Sequence, residues 1–240
     1  MSLSKVLALS VVFAVITVPL ASAAIQNQSN MDLTSGGPYV MNSIYVGPYS
    51  GTANGQAIQI ICDDYSDDSY LNESWTANVT NLSNVGSSAT PMWSGYSDAS
   101  TLYADAAWLG TQMFVPANEN TATEGYLAYA IWSLFNPNAL TGLSTSQLNG
   151  VETWLGEIPQ GLTPGDFPNF AIYTPDTSFA ITCNGGPCPT SPPQEFLARV
   201  PEGGSPLAYL LLAAAVCFGA IVLRFRSAAF PGGLRSSIGS

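Results

Sequence analysis

Thr121-Ala122-Thr123-Glu124-Gly125-Tyr126-Leu127-Ala128-Tyr129-Ala130-Ile131-Trp132-Ser133-Leu134-Phe135 breaks the rhythm of the chain around it. Its first four residues have the form of a capping box. Leu127, Ala130, Ile131, Leu134 and Phe135 then recur at helical spacing until Pro137 stops them. A second helix is predicted over residues 101–114, where Leu102, Ala106, Leu109 and Met113 share one face and Ser100 or Thr101 is the cap. Ser144-Thr145-Ser146-Gln147 is another capping box, with Leu143 and Leu148 placed as a hydrophobic staple and Val151 and Leu155 continuing the face. On the N-terminal side, 39–46, 57–62 and 74–82 read as strands, divided by Gly47-Pro48, Asn54-Gly55 and the acidic run from Asp63 to Asp68. On the C-terminal side, 170–174 and 178–183 read as two more. Strands, a helical insert and strands again predict an α+β fold.

The two ends of the chain read differently from this body. Lys5 precedes a nearly unbroken apolar run from Val6 to Val18, and Ala21-Ser22-Ala23 supplies the small residues a signal peptidase requires, so 1–23 reads as a signal peptide cleaved after Ala23. That run of about 13 residues is too short to cross roughly 30 Å of hydrocarbon. Leu207 to Leu223 carries no charge, and at about 1.5 Å per residue it spans roughly 25 Å, enough for a transmembrane helix. Arg224 and Arg226 follow as a membrane stop and place the 227–240 tail in the cytoplasm. Residues 24–183 are then the extracytoplasmic domain and 184–199 a Pro/Gly/Ser linker.

Charge narrows the function. All five basic residues lie at Lys5, Arg199, Arg224, Arg226 and Arg235, and there is no His. Fifteen of the sixteen acids fall between Ile25 and Ala198, which gives that window a formal charge of −15. Such a surface repels nucleic acid, whose recognition rests on Arg and Lys. Without His or Lys the domain has no Ser-His-Asp or Cys-His machinery, no imidazole zinc ligand and no Schiff base. Only carboxylate chemistry survives, and glycoside hydrolysis by some pair among Asp63, Asp64, Glu73, Asp98, Asp105 and Glu124 is the enzymatic alternative.

Val200-Pro201-Glu202-Gly203-Gly204-Ser205, followed by the apolar segment and arginines, resembles the tripartite PEP-CTERM sorting signal of Gram-negative bacteria over residues 200–226. Gly203 stands where the family's more usual motif has its second Pro. The resemblance implies processing by an exosortase, a membrane transpeptidase, and delivery to the cell surface or to secreted polysaccharide. A non-catalytic, exported structural or binding protein follows as the expectation. A second, looser resemblance covers 39–182. Cys62 at a strand end and Ala130-Ile131-Trp132 on a later helix are similar to the thioester domains of bacterial surface adhesins, in which a Cys is joined to a Gln. Ala128 stands at the Gln position, so the resemblance extends to the fold and not to the cross-link.

Three further groups are candidates. Cys183 and Cys188 flank a Gly-Gly-Pro turn and suit a small disulfide loop worth about 2 kcal/mol, while Cys217 falls within the apolar tail and Cys62 is left over. Asp63, Asp64, Asp67 and Asp68 are hard oxygen ligands close in sequence, as Ca²⁺ requires, although a solvated acidic turn is the plainer reading. Tyr39, Tyr45, Tyr49, Trp75, Trp93, Tyr96 and Tyr103 suit contact with an extracellular polysaccharide and suit a core equally well.

Overall fold

The computed structural model describes residues 27–88, 90–178, 180–183 and 191–200. The residues read from the sequence as a signal peptide, as the sorting motif beyond Val200, as a transmembrane segment and as a basic tail lie outside them. Among the described residues no helix is long and apolar enough to cross a membrane. Ile25–Val200 forms one compact unit.

The fold is α+β, with a barrel as its β part. Strands β1 (Gln28–Ser35), β4 (Tyr49–Ala53), β5 (Gln56–Cys62), β9 (Phe196–Arg199), β7 (Phe170–Pro175) and β6 (Glu73–Asn81) pair in that order, all antiparallel, and β6 pairs back onto β1 to close the ring. Closure removes the exposed edges that an open sheet of this kind would leave. The short β8 (Thr182–Cys183) adds to the start of β6. A separate hairpin joins β2 (Tyr39–Met41) to β3 (Ile44–Val46). Residues 39–46, predicted as one strand, are thus two. Asn42 and Ser43 both take positive φ, 51° and 67°, and turn the chain in two residues. Asn54-Gly55 makes the same kind of turn between β4 and β5, as its sequence predicts, with φ of 51° and 77°.

Inside the barrel, alternate residues from every strand meet. Met31 lies opposite Trp75, Tyr49 opposite Ile60, and Cys62 opposite Phe196. Phe196 packs edge-on to Tyr49 and tilted on Trp75, with ring centroids 6.1 and 5.8 Å apart. Burying residues of this size stabilises by about 1.5–3 kcal/mol each.

Between β6 and β7 run α1 (Ala99–Met113), α2 (Thr121–Phe135) and α3 (Thr145–Glu157). The helix over 121–135 begins where its sequence predicts, but its cap is Asn120, whose side chain accepts from the Thr123 N–H. Glu124 is therefore not the return arm of a capping box; it is buried. The predicted box at Ser144 does form, with Gln147 bonding back to the Ser144 N–H at 2.8 Å. α1 packs on α2 and α2 on α3. α1 also lies on the outer face of β5, so close that a Cβ at Gly110 would sit 2.8 Å from Ile61 Cδ1.

One boundary needs correction. Residues 196–199, assigned by sequence to the linker, are β9, seated between β5 and β7. Their backbone groups pair on both sides, and Phe196, Leu197 and Ala198 are buried. A three-residue apolar core following a Pro/Ser run was too short to register as a strand. Similarly, only Thr182–Cys183 of the predicted 178–183 strand pairs in the sheet.

Candidate functional site

The chemistry-bearing residues gather at one end of the barrel, where β5 stops and β6 and β9 start. The loop 63–72 closes this end. Its first half is pinned from three directions. The Cys62 thiol donates to the Asp64 carbonyl at 3.0 Å, Gln194 Nε2 donates to the same oxygen at 2.8 Å, and Asn136 Nδ2 donates to Ser66 Oγ at 3.1 Å. The Gln194 N–H reaches Ser69 Oγ at 2.9 Å, and the Tyr70 N–H reaches Glu73 Oε2 at 2.8 Å. Tyr65 covers Trp132 and Tyr129 of α2, with centroids 5.6 and 6.5 Å away.

Under this loop lies a row of acids. Cys62 pairs with Phe196 and Phe196 with Tyr173, so the next residues along, Asp63, Glu195 and Thr174, stand side by side across three strands on the face turned to α1. The Asp63 N–H bonds the Glu195 carbonyl at 3.4 Å. Three donors converge on the Glu195 carboxyl: the Tyr103 hydroxyl from α1, the Thr174 hydroxyl from β7, and the Met92 N–H at 2.8 Å. Asp63 receives no N–H or O–H donor on either oxygen. Its neighbour on the adjacent strand is the Glu195 carboxyl, and two carboxyls so placed in a dry site do not readily ionise together. Burial, then the charge of Glu195, then that of Asp64, hold Asp63 well above the usual carboxylate range. Burial raises Glu195 as well, opposed by its three donors. Asp63, with no donor on either oxygen, is therefore the more readily protonated of the two, and Glu195, with three donors, the more readily ionised. Glu195 falls in the stretch the sequence assigns to the linker; the apolar run Phe196-Leu197-Ala198 beside it is the available signal.

The thioester-like positions come together in part. Trp132 Nε1 donates to the Cys62 carbonyl at 3.0 Å, which fixes α2 over the end of β5. Ala128, one turn before Trp132, is buried and offers a methyl. Cys62 is a free, buried thiol, pushed up by burial and by the charges of Asp63 and Asp64. A thiol so protonated is a poor nucleophile. Cys183 is disulfide-bonded, and Cys188 lies outside the described residues.

The four aspartates weighed as calcium ligands do not converge among the described residues. Asp63 faces Glu195, Asp64 Oδ1 is taken by the Ser66 N–H at 2.8 Å, and Asp68 is exposed. Among the described residues no three such side chains gather around a point that could hold a metal ion. Of the six glycosidase candidates, Asp63, Asp64, Glu73 and Glu124 have no accessible surface. Asp98 is exposed at the start of α1 and Asp105 is half-buried on it. A cavity of about 190 Å³ is lined by Trp75, Pro175, Asp176, Ile181, Pro192 and Pro193 among others; its one carboxylate is Asp176. The aromatic residues divide. Trp75 and Tyr49 fill the barrel, whereas Trp93 stacks between Phe135 and the exposed Tyr96.

No family model, curated protein or solved structure matches this chain.

Proposed function

We propose that this protein is an exported, exosortase-sorted component of the cell surface or of an exopolysaccharide matrix, which binds or builds and does not catalyse. The observation that carries the reading is where the folded unit stops. Ile25–Val200 is compact, the sequence-predicted signal cleavage follows Ala23, and the sorting motif starts at Val200. Processing at both ends would leave every strand intact. The Val200 N–H is still bonded to the Asn169 carbonyl at 2.7 Å, so the motif begins as the chain leaves the barrel.

The sealed acid row supports a non-catalytic role, because glycoside hydrolysis needs two carboxyls on either side of a bound sugar. The predicted helix at 207–223 would hold the chain in the inner membrane until the exosortase acts, and a secreted polysaccharide is the ligand class in view. The test is the mass of the mature protein taken from cells with and without the transpeptidase. The expected result is a chain starting at Ala24 in both, with the apolar tail removed only when the enzyme is present. A full-length chain beginning at Met1 and recovered from the cytosol would overturn the proposal.

A further inference from the structure

Five carboxyls in this domain, those of Asp63, Asp64, Glu73, Glu124 and Glu195, have no accessible surface, and no Lys, Arg or His occurs between Ile25 and Ala198 to neutralise them. Buried carboxylates without cations are strongly disfavoured, so such groups stay neutral or share protons. Four of the five stand at the loop-covered end of the barrel. We propose that Asp63, buried beside Glu195 with no partner on either oxygen, is a proton-operated latch: the proton it carries keeps loop 63–72 and the start of β9 seated, and its loss opens this end while the rest of the barrel stays folded.

The groups facing the pair make the direction unambiguous. From β5 and its continuation come Cys62 and Asp64, and from α1 the Tyr103 hydroxyl; β7 contributes the Thr174 hydroxyl, which does not titrate, and the segment before α1 contributes the Met92 N–H. None is cationic. Every titratable neighbour is an acid raised by burial, so none can offset the charge that ionisation of Asp63 would create. Because Asp63 is raised in the folded state, its stabilisation is complete below the ordinary carboxylate range and is lost as pH climbs through the folded value. The latch is shut in acid and released toward alkaline pH.

Loop 63–72 is the element released. It rests on the Gln194 bonds to Asp64 and Ser69, and Gln194 adjoins Glu195. Charge on both carboxyls would push apart the two segments those bonds join. The reporter is Cys62, the buried free thiol beneath the loop.

The experiment uses the purified full-length chain and follows maleimide labelling of the Cys62 peptide by mass spectrometry from pH 5 to 9, with each rate divided by that of the urea-unfolded chain at the same pH. The expected result is a rise of at least tenfold in the wild type and less than twofold in Asp63→Asn, whose amide keeps a neutral hydrogen donor beside Glu195. Amide hydrogen exchange, corrected for intrinsic rate, should loosen over 63–72 and not over β1 or β6. That measurement needs only the wild type, so it stands even if Asp63→Asn folds poorly. A flat wild-type profile, an equal rise in Asp63→Asn, or loss of protection across the whole barrel at the same pH overturns the latch.

Discussion

At the scale of single residues, two glycines separate backbone cost from crowding. Gly55 has φ +77° and open space where a Cβ would stand, whereas Gly47 has φ +93° and would place a Cβ 2.9 Å from Glu124 Oε2 and 3.3 Å from Tyr39. Gly55→Ala should cost about 1 kcal/mol, the left-handed penalty alone. Gly47→Ala should cost clearly more, and paired urea melts would rank them; equal losses would show that Glu124 and Tyr39 move aside. Glu124 itself is buried, with neither oxygen bonded, and burial together with the Glu119 charge pushes it up to about 8. Its contribution is therefore complete below the unfolded value near 4.5 and lost as pH rises toward 8. Glu124→Gln should flatten that part of the thermal stability profile between pH 5 and 8, read as the midpoint of a melt at each pH. Trp132→Phe leaves the buried Cys62 carbonyl without its donor and should lower stability by about 1–3 kcal/mol.

At the scale of elements, the helices were legible because each carries its own start and stop in adjacent residues. Ser144 and Gln147 bond as their spacing predicts, and Pro137 follows α2 at once. The cap of α2 was misplaced by one residue because Asn120 and Thr121 are both good caps, and only the backbone geometry chooses between them. Strands with turn signals were legible for a similar reason, as at Asn54-Gly55. What could not be read was pairing across distance. β1 contains Asn30, Asp32 and Thr34 facing outward and only Met31 and Leu33 as large apolar residues, and β9 is four residues long, so neither stands out until its neighbours are in place. The acid row was hidden for the same cause, since Asp63 and Glu195 are 132 positions apart and meet only through the β5–β9 register. Ending the chain after Gln194 deletes β9 and leaves β5 and β7 without their shared partner. Such a chain should show no cooperative melt by circular dichroism, whereas one ending after Val200 should.

At the scale of the whole molecule, the uncompensated acids of the Ile25–Ala198 window, formally −15 before the buried ones are set aside, are the dominant global term. Self-repulsion among the exposed members of that set opposes compaction and is screened by salt, with a Debye length of about 30 Å at 0.01 M falling to about 10 Å at 0.1 M. Raising NaCl across that interval should raise the melting temperature at pH 7; an unchanged or lower midpoint would mean that the acids are spaced widely enough not to matter. The same measurement made at pH 5, where more carboxyls are neutral, should show a smaller salt effect.

The order in which the strands join the ring sets a schedule for the chain. The last strand to leave the ribosome among the described residues is an interior member of the barrel rather than an edge. Until residue 199 has emerged, β5 and β7 have no strand to bridge them, so the ring cannot close early. Completion is deferred to residues 196–199, and closure of the barrel waits on nearly the whole of the folded unit.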